Sequence, residues 1–214
     1  MLLRLSKPLI GLIMMSCVFL VTLSSAQADQ AAVQRLTQLL NQMSSLDADF
    51  QQRILDARGS RLQEVSGHLS LQRPGQFYWQ TENPFPQTVV SDGKTLWLYD
   101  PDLEQVTIQQ MDASASKTPA MLLSGDVDSI GQRFNVNSIR SGELEEFVLK
   151  PKEEESLFEE LRLNFADQEL RSLLLVDSLG QRTAIELIDR KLNTLLDADL
   201  FTFQVPDDVD VIQQ

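Results

Sequence analysis

From residue 47 onward the apolar side chains of this chain recur at every second position, in one short run after another. Val65, Gly67, Leu69 and Leu71 alternate, and so do Phe77 and Trp79, Val106 and Ile108, and Phe134 and Val136. Leu161, Leu163 and Phe165 repeat the pattern, followed by Leu173 and Leu175, Ile185 and Leu187, and Phe201, Phe203 and Val205. Successive side chains of a strand point to opposite faces, so this period describes strands with one buried face. Turn residues separate the runs: Arg58-Gly59, Pro74-Gly75, Asp92-Gly93, Asp100-Pro101, Ser141-Gly142 and Leu179-Gly180. Asp92-Gly93, between Val89-Val90 and Leu96-Trp97, predicts a hairpin with positive φ at both central residues, a type I′ turn. Roughly ten strand-like segments in this order predict an antiparallel meander and a mostly β fold.

Two segments depart from that period. Val33, Leu36, Leu39, Leu40, Met43 and Leu46 recur at three- and four-residue spacing, which predicts an amphipathic helix of about four turns. Thr118-Pro119-Ala120-Met121-Leu122-Leu123-Ser124-Gly125 has Thr as N-cap, Pro at the first helical position and Gly at the end. That predicts a short apolar helix, either packed into the core or serving as a lid over one face of the sheet. No internal repeat and no linker divides the chain, and Lys150 to Ser156 reads as a charged hairpin loop. Residues 29–214 are therefore expected to form one domain.

The first 28 residues read as an address. Arg4 and Lys7 precede an apolar run from Leu9 to Leu23, and Ser24-Ser25-Ala26-Gln27-Ala28 supplies the A-x-A pattern of a signal-peptidase site. Gly11 and Ser16 interrupt the run, which falls short of the roughly 20 apolar residues of a bilayer span. A cleaved signal is expected rather than a retained anchor. Cys17 lies inside the run, followed by Val18, Phe19, Leu20 and Val21, not at its end where a lipid-modified cysteine would sit. Cleavage would leave no cysteine, so the mature domain must be held by its core. Without Arg4 and Lys7 the 18 basic residues become 16 against 31 acidic ones, a net charge of about −15 with His68 neutral. Such a surface repels nucleic acid and anionic head groups alike. Solubility by itself accounts for most of that charge.

Catalytic signatures are absent from the sequence. His68 is the single histidine and stands in a strand pattern, with no G-x-S-x-G, H-E-x-x-H or phosphate-loop motif anywhere. Ser91-Asp92-Gly93-Lys94 is a turn. Glu159-Glu160 and Asp207-Asp208 are adjacent pairs, whose side chains would point to opposite faces of an extended chain. No cofactor or metal is expected. An acidic hydrolase using distant carboxylates remains the alternative of a different class.

Arg73-Pro74-Gly75-Gln76-Phe77-Tyr78-Trp79 stands out instead. A regular strand would set Arg73, Phe77 and Trp79 on one face, as a core face with Arg at its rim or as the mouth of an apolar cavity. Here the chain resembles the LolA family, periplasmic carriers of outer-membrane lipoproteins. Arg73, Pro74, Phe77 and Trp79 match its R-P-x-x-F-x-W motif, and Val90 to Pro101 match the hairpin that follows. Thr118-Pro119 through Leu122-Leu123 match its internal helix, and Phe201-Thr202-Phe203 with Pro206 and Val209 match its ending. The likeness runs from about residue 30 to 212; the acidic stretch Glu153 to Glu160 and Asp47 with Asp49 depart from it.

The resemblance implies an unclosed antiparallel barrel whose helices cover an apolar cavity. It implies that Arg73 hydrogen-bonds the lid and holds the empty form shut, with Phe77 near the entrance. Trp79, Met121 and Leu122 fall in the implied cavity lining, with Phe50 and Trp97 as further candidates. The implied partners are acylated lipoproteins, an inner-membrane lipoprotein-releasing ABC transporter and an outer-membrane lipoprotein receptor, the carrier itself being a monomer. The receptor sibling on this fold would need a lipid-modified cysteine after its signal, and Ala28-Asp29 offers none. A lipid-sensing regulatory relative would carry a second domain.

Overall fold

The computed structural model describes residues 19–111, 123–153, 156 and 158–213. Helix α1 spans Phe19–Asn41. Six strands follow as a meander, each antiparallel to the one before. They are β1 (Ser45–Leu55), β2 (Arg61–Gln72), β3 (Gln76–Asn83), β4 (Gln87–Asp92), β5 (Thr95–Asp100) and β6 (Gln105–Gln110). A 3-10 turn at Val127–Ser129 and a single helical turn, α2 (Ile130–Arg133), lead into a second meander. Its strands are β7 (Phe134–Ser141), β8 (Leu144–Pro151), β9 (Glu160–Ala166), β10 (Glu169–Val176) and β11 (Arg182–Leu192).

Strand β11 pairs with β1, so the two meanders fuse into one sheet, and with β12 (Asp210–Gln213) its order is β12-β6-β5-β4-β3-β2-β1-β11-β10-β9-β8-β7. The sheet does not close: β7 and the short β12 are its two edges. The fold is thus the mostly β, unclosed sheet expected from the sequence and the family likeness. Strand β12 departs from the meander by adding parallel to β6.

Paired residues share a face, so the register sorts every side chain. One row crosses the sheet from Phe147 through Leu163, Leu173 and Ile185 to Gln52 and Val65. This inner face carries the core, and α1 lies over it with Leu36, Leu39 and Leu40 buried, as is Met43 in the turn that follows. Each such side chain contributes about 1.5–3 kcal/mol by leaving water. Arg35 of α1 also reaches the inner face, where its Nε lies 3.2 Å from Oε2 of the buried Glu145. At the β7 edge, where strand donors lack a ladder partner, Val136 N–H donates to Oδ1 of Asp29 at 2.6 Å. Among the described residues no helix is long and apolar enough to cross a membrane.

Three local expectations are corrected. The helical stripe ends early, because Leu46 belongs to β1 and faces Leu71 and Leu192. Asn193, remote in sequence, decides this: its amide donates to Gln42 O at 3.0 Å and accepts from Ser44 N–H at 2.8 Å, turning the chain. In the β4–β5 hairpin, positive φ falls on Gly93 (φ 93) and on neither neighbour, the type II′ pattern rather than type I′. The Asp92 carboxylate accepts from Lys94 and Thr95 N–H, which stabilises this turn. Finally, Phe201, Phe203 and Val205 form no strand. Ala198–Phe201 is a 3-10 turn packed against β3 and β4, with Phe201 fully buried.

Candidate lipid-binding cavity

Strands β1 to β5 present a continuous apolar patch on the inner face. Leu46, Leu71 and Phe77 form one cross-strand row, and Ala48, Leu69 and Trp79 the next. Phe50 follows, opposite Gly67, and its ring stacks on Trp79 with centroids 4.0 Å apart. Gly67 is what lets this pair close. A Cβ there would lie 1.9 Å from Gln80 O and 2.7 Å from Phe50 Cζ, so any larger residue must move backbone or ring. Phe77 packs with Val89 and Leu96 in a second apolar group, and half-buried Trp79 touches both groups. The structure therefore brings Phe50, Phe77 and Trp79 together on one surface.

Trp97 does not join them. It pairs with Val90, which pairs with Tyr78, and these residues occupy the opposite face of the sheet from Phe77 and Trp79. That outer face is covered by the C-terminal segment, where Phe203 meets Tyr99 at a ring distance of 5.7 Å. A hairpin residue's face depends on its register with the neighbouring strand, and one strand's alternation does not supply that. Met121 and Leu122 lie outside the described residues. The end of their segment is described: Leu123 and Ser124 are buried, and Asp126 caps the next turn through Asp128 N–H.

Arg73 sits where β2 turns into β3, beside that segment. Its Nε donates to Met43 O at 3.1 Å and its Nη1 to Gly125 O at 3.1 Å. The backbone adds two bonds on either side, Arg73 N–H to Ser44 O at 3.0 Å and Gly75 N–H to Ser124 O at 2.8 Å. Nη2 is buried with no partner among the described residues. Burial pushes the guanidinium pKa down to about 10, which still leaves it charged at neutral pH. One cation thus ties the turn after α1 to the end of the internal helix. Neither carbonyl was legible in the sequence, since any residue type supplies a carbonyl.

The outer face holds a second polar cluster. His68 Nδ1 lies 2.8 Å from Asp49 Oδ1, and its Nε2 lies 3.0 Å from Asp47 Oδ2 and 3.2 Å from Ser70 Oγ. Ser, His and Asp meet here, but Ser70 is fully buried and donates its proton to Asp47 at 2.9 Å. It offers no accessible nucleophile. Burial pulls the His68 pKa down, yet hydrogen bonds and charge from Asp49 and Asp47 outweigh it and hold the imidazole above its usual value. Burial likewise opposes ionisation of Asp47, but Ser70, His68 and Lys191 bring its pKa below the usual carboxylate value.

Residues 41–204 match the sequence profile of the outer membrane lipoprotein carrier protein family, LolA. This chain belongs to the LolA family. An outer-membrane lipoprotein carrier protein of Azotobacter vinelandii is 50% identical over 192 residues, spanning 90% of this chain and 93% of that one. Its counterpart in Pseudomonas paraeruginosa is 51% identical over 186 residues, spanning 87% and 89%. A solved structure of an uncharacterized conserved protein from Thermus thermophilus shares the fold alone, with a TM-score of 0.51 at 15% identity over 86% of this chain and 98% of that one. In this LolA-family member the acidic departures at Asp47 and Asp49 pair with His68 and Lys191, on the face of the sheet opposite Phe50 and Trp79.

Proposed function

We propose that this protein carries outer-membrane lipoproteins across the periplasm, holding their acyl chains against the inner face of the open sheet. Burying an acyl chain contributes about 0.8 kcal/mol per CH₂, so two or three long chains exceed about 20 kcal/mol and do not cross water unaided. The carrier must match that surface and still release it. Apolar segments already lying on the inner face accomplish this, because their own burial offsets part of the ligand's. The observation that carries the reading is Arg73, whose bonds to Met43 O and Gly125 O hold a helical segment against that face. In this reading the bonded arrangement, with Leu123 and Ser124 at the end of that segment buried, is the shut form of the carrier.

In this reading the protein is not an enzyme. It receives its cargo from an inner-membrane lipoprotein-releasing ABC transporter, which supplies the energy, and hands it to an outer-membrane receptor. The exported chain begins at Asp29 after loss of residues 1–28, and the bond from Val136 N–H to Asp29 supports Asp29 as part of the folded domain. An apolar dye bound by the protein should be displaced by an acylated lipopeptide and not by its deacylated form. Equal competition by both peptides would refute the reading.

A further inference from the structure

The inner face changes character along its length. At the end nearest Arg73 the rows are Leu46, Leu71 and Phe77, then Ala48, Leu69 and Trp79. At the far end the same strands turn polar: Gln52 lies opposite Val65, Gln63 opposite Ile54, and Gln87 opposite Thr81. On the β8–β11 side the row of Gln52 stays apolar, with Phe147, Leu163, Leu173 and Ile185. These glutamines and Thr81 line a cleft of ≈ 370 Å³, with Phe85 and Leu103 on its rim. Phe85 and Leu103 are 60% and 67% exposed at the β3–β4 and β5–β6 turns. Among the described residues the side-chain amides of Gln52, Gln63 and Gln87 have no protein hydrogen-bond partner. Strands favour β-branched and aromatic residues, so strand propensity does not account for three glutamines here. A glutamine amide both donates and accepts, and here that capacity is aimed into a cleft continuous with an apolar surface.

We infer that this collar of Gln52, Gln63 and Gln87 binds the polar junction of the cargo, the ester and amide groups that join acyl chains to the peptide. The inference rests on the carrier reading and orients the ligand within it. The acyl chains run along the inner face toward Arg73, and the peptide leaves past Phe85 and Leu103. From Gln52 back to Leu46 the strand rises roughly 20 Å, comparable to an extended long-chain acyl group. A ligand whose polarity changes once is thereby matched by a surface whose polarity changes once.

The test compares the mature protein with a Gln52→Leu, Gln63→Leu, Gln87→Leu variant, using dye displacement by a diacylglyceryl-cysteine lipopeptide and by a free long-chain fatty acid. Loss of three hydrogen-bonding amides should weaken the lipopeptide about tenfold or more and leave the fatty acid unchanged or tighter. Unchanged lipopeptide affinity, or parallel weakening of both ligands, overturns the collar. Wild-type protein that binds neither ligand overturns the carrier reading itself, and the collar with it. Should the variant fail to fold, a lipopeptide with a photoreactive group beside its cysteine is crosslinked to wild-type protein. Adducts on β1, β2 and β4 near Gln52, Gln63 and Gln87 support the assignment; adducts confined to the Arg73 end refute it.

Discussion

Replacing Arg73 with Leu tests the latch most directly. The guanidinium makes two bonds of equal length, to Met43 O and Gly125 O, both at 3.1 Å. The first joins the α1–β1 turn and persists whether or not the internal helix stays in place. In the proposed latch only the second would break when the segment lifts. A hydrogen bond from a charged donor contributes about 1.5–3 kcal/mol, which corresponds to about a ten- to hundredfold change in the open-to-shut ratio. Gly75 N–H still holds Ser124 O at 2.8 Å in the variant, so the shut form is weakened rather than abolished. The variant should bind lipopeptide more tightly, accept cargo from the donor membrane, and fail to pass it on. A reconstituted release-and-transfer assay reads each step separately. Normal delivery by Arg73→Leu would refute the latch and leave Arg73 as a structural tie between turns.

Trp79→Ala should weaken dye and lipopeptide binding, whereas Trp97→Ala should leave both unchanged because it lies on the opposite face of the sheet from Trp79; parallel losses in a titration would count against the assignment of cargo to the inner face. Gly67→Ala forces a Cβ to 1.9 Å from Gln80 O and should destabilise the fold by about 1–3 kcal/mol, read as a lower urea midpoint. The His68 cluster gives a pH dependence whose sign follows from the shifts. The His68 pKa is raised above 6.5, so its contribution is complete below that value and fades as pH rises through the folded pKa. The Asp47 pKa lies below 3.8, so its contribution holds above that value and fails only in acid. Thermal melts should therefore show stability falling above pH 6.5 in the wild type and a flatter profile in His68→Gln, and identical profiles would count against the cluster.

Much of this protein was legible in local pattern. Alternation at Leu161, Leu163 and Phe165 names a strand with one buried face, and β9 buries those three residues. Gly93 announces a turn because few other residues adopt its φ, although which turn type results depended on the Asp92 carboxylate and its two amide donors. Arg73, Phe77 and Trp79 were visible as a motif, and Gly67 already interrupted a run of Val and Leu. Short-range geometry is written in neighbouring residues, since backbone sterics and the period of side-chain direction act over a few positions.

Tertiary structure decided what depends on pairing across distance. No local pattern shows that β11 closes onto β1, that β12 adds parallel to β6, or that Asn193 ends a helix more than a hundred positions earlier in the chain. Phe201 and Phe203 alternate like strand residues, yet they found no neighbouring strand and became a plug on the outer face instead. Trp97 reads in sequence like Trp79, and only the pairing of Val90 with Tyr78 and Trp97 sets the two on opposite sides. The glutamine collar likewise exists because three strands align their polar ends. The amino-acid sequence specifies which face of each strand is apolar; the register between strands decides which of those faces join into one continuous apolar surface.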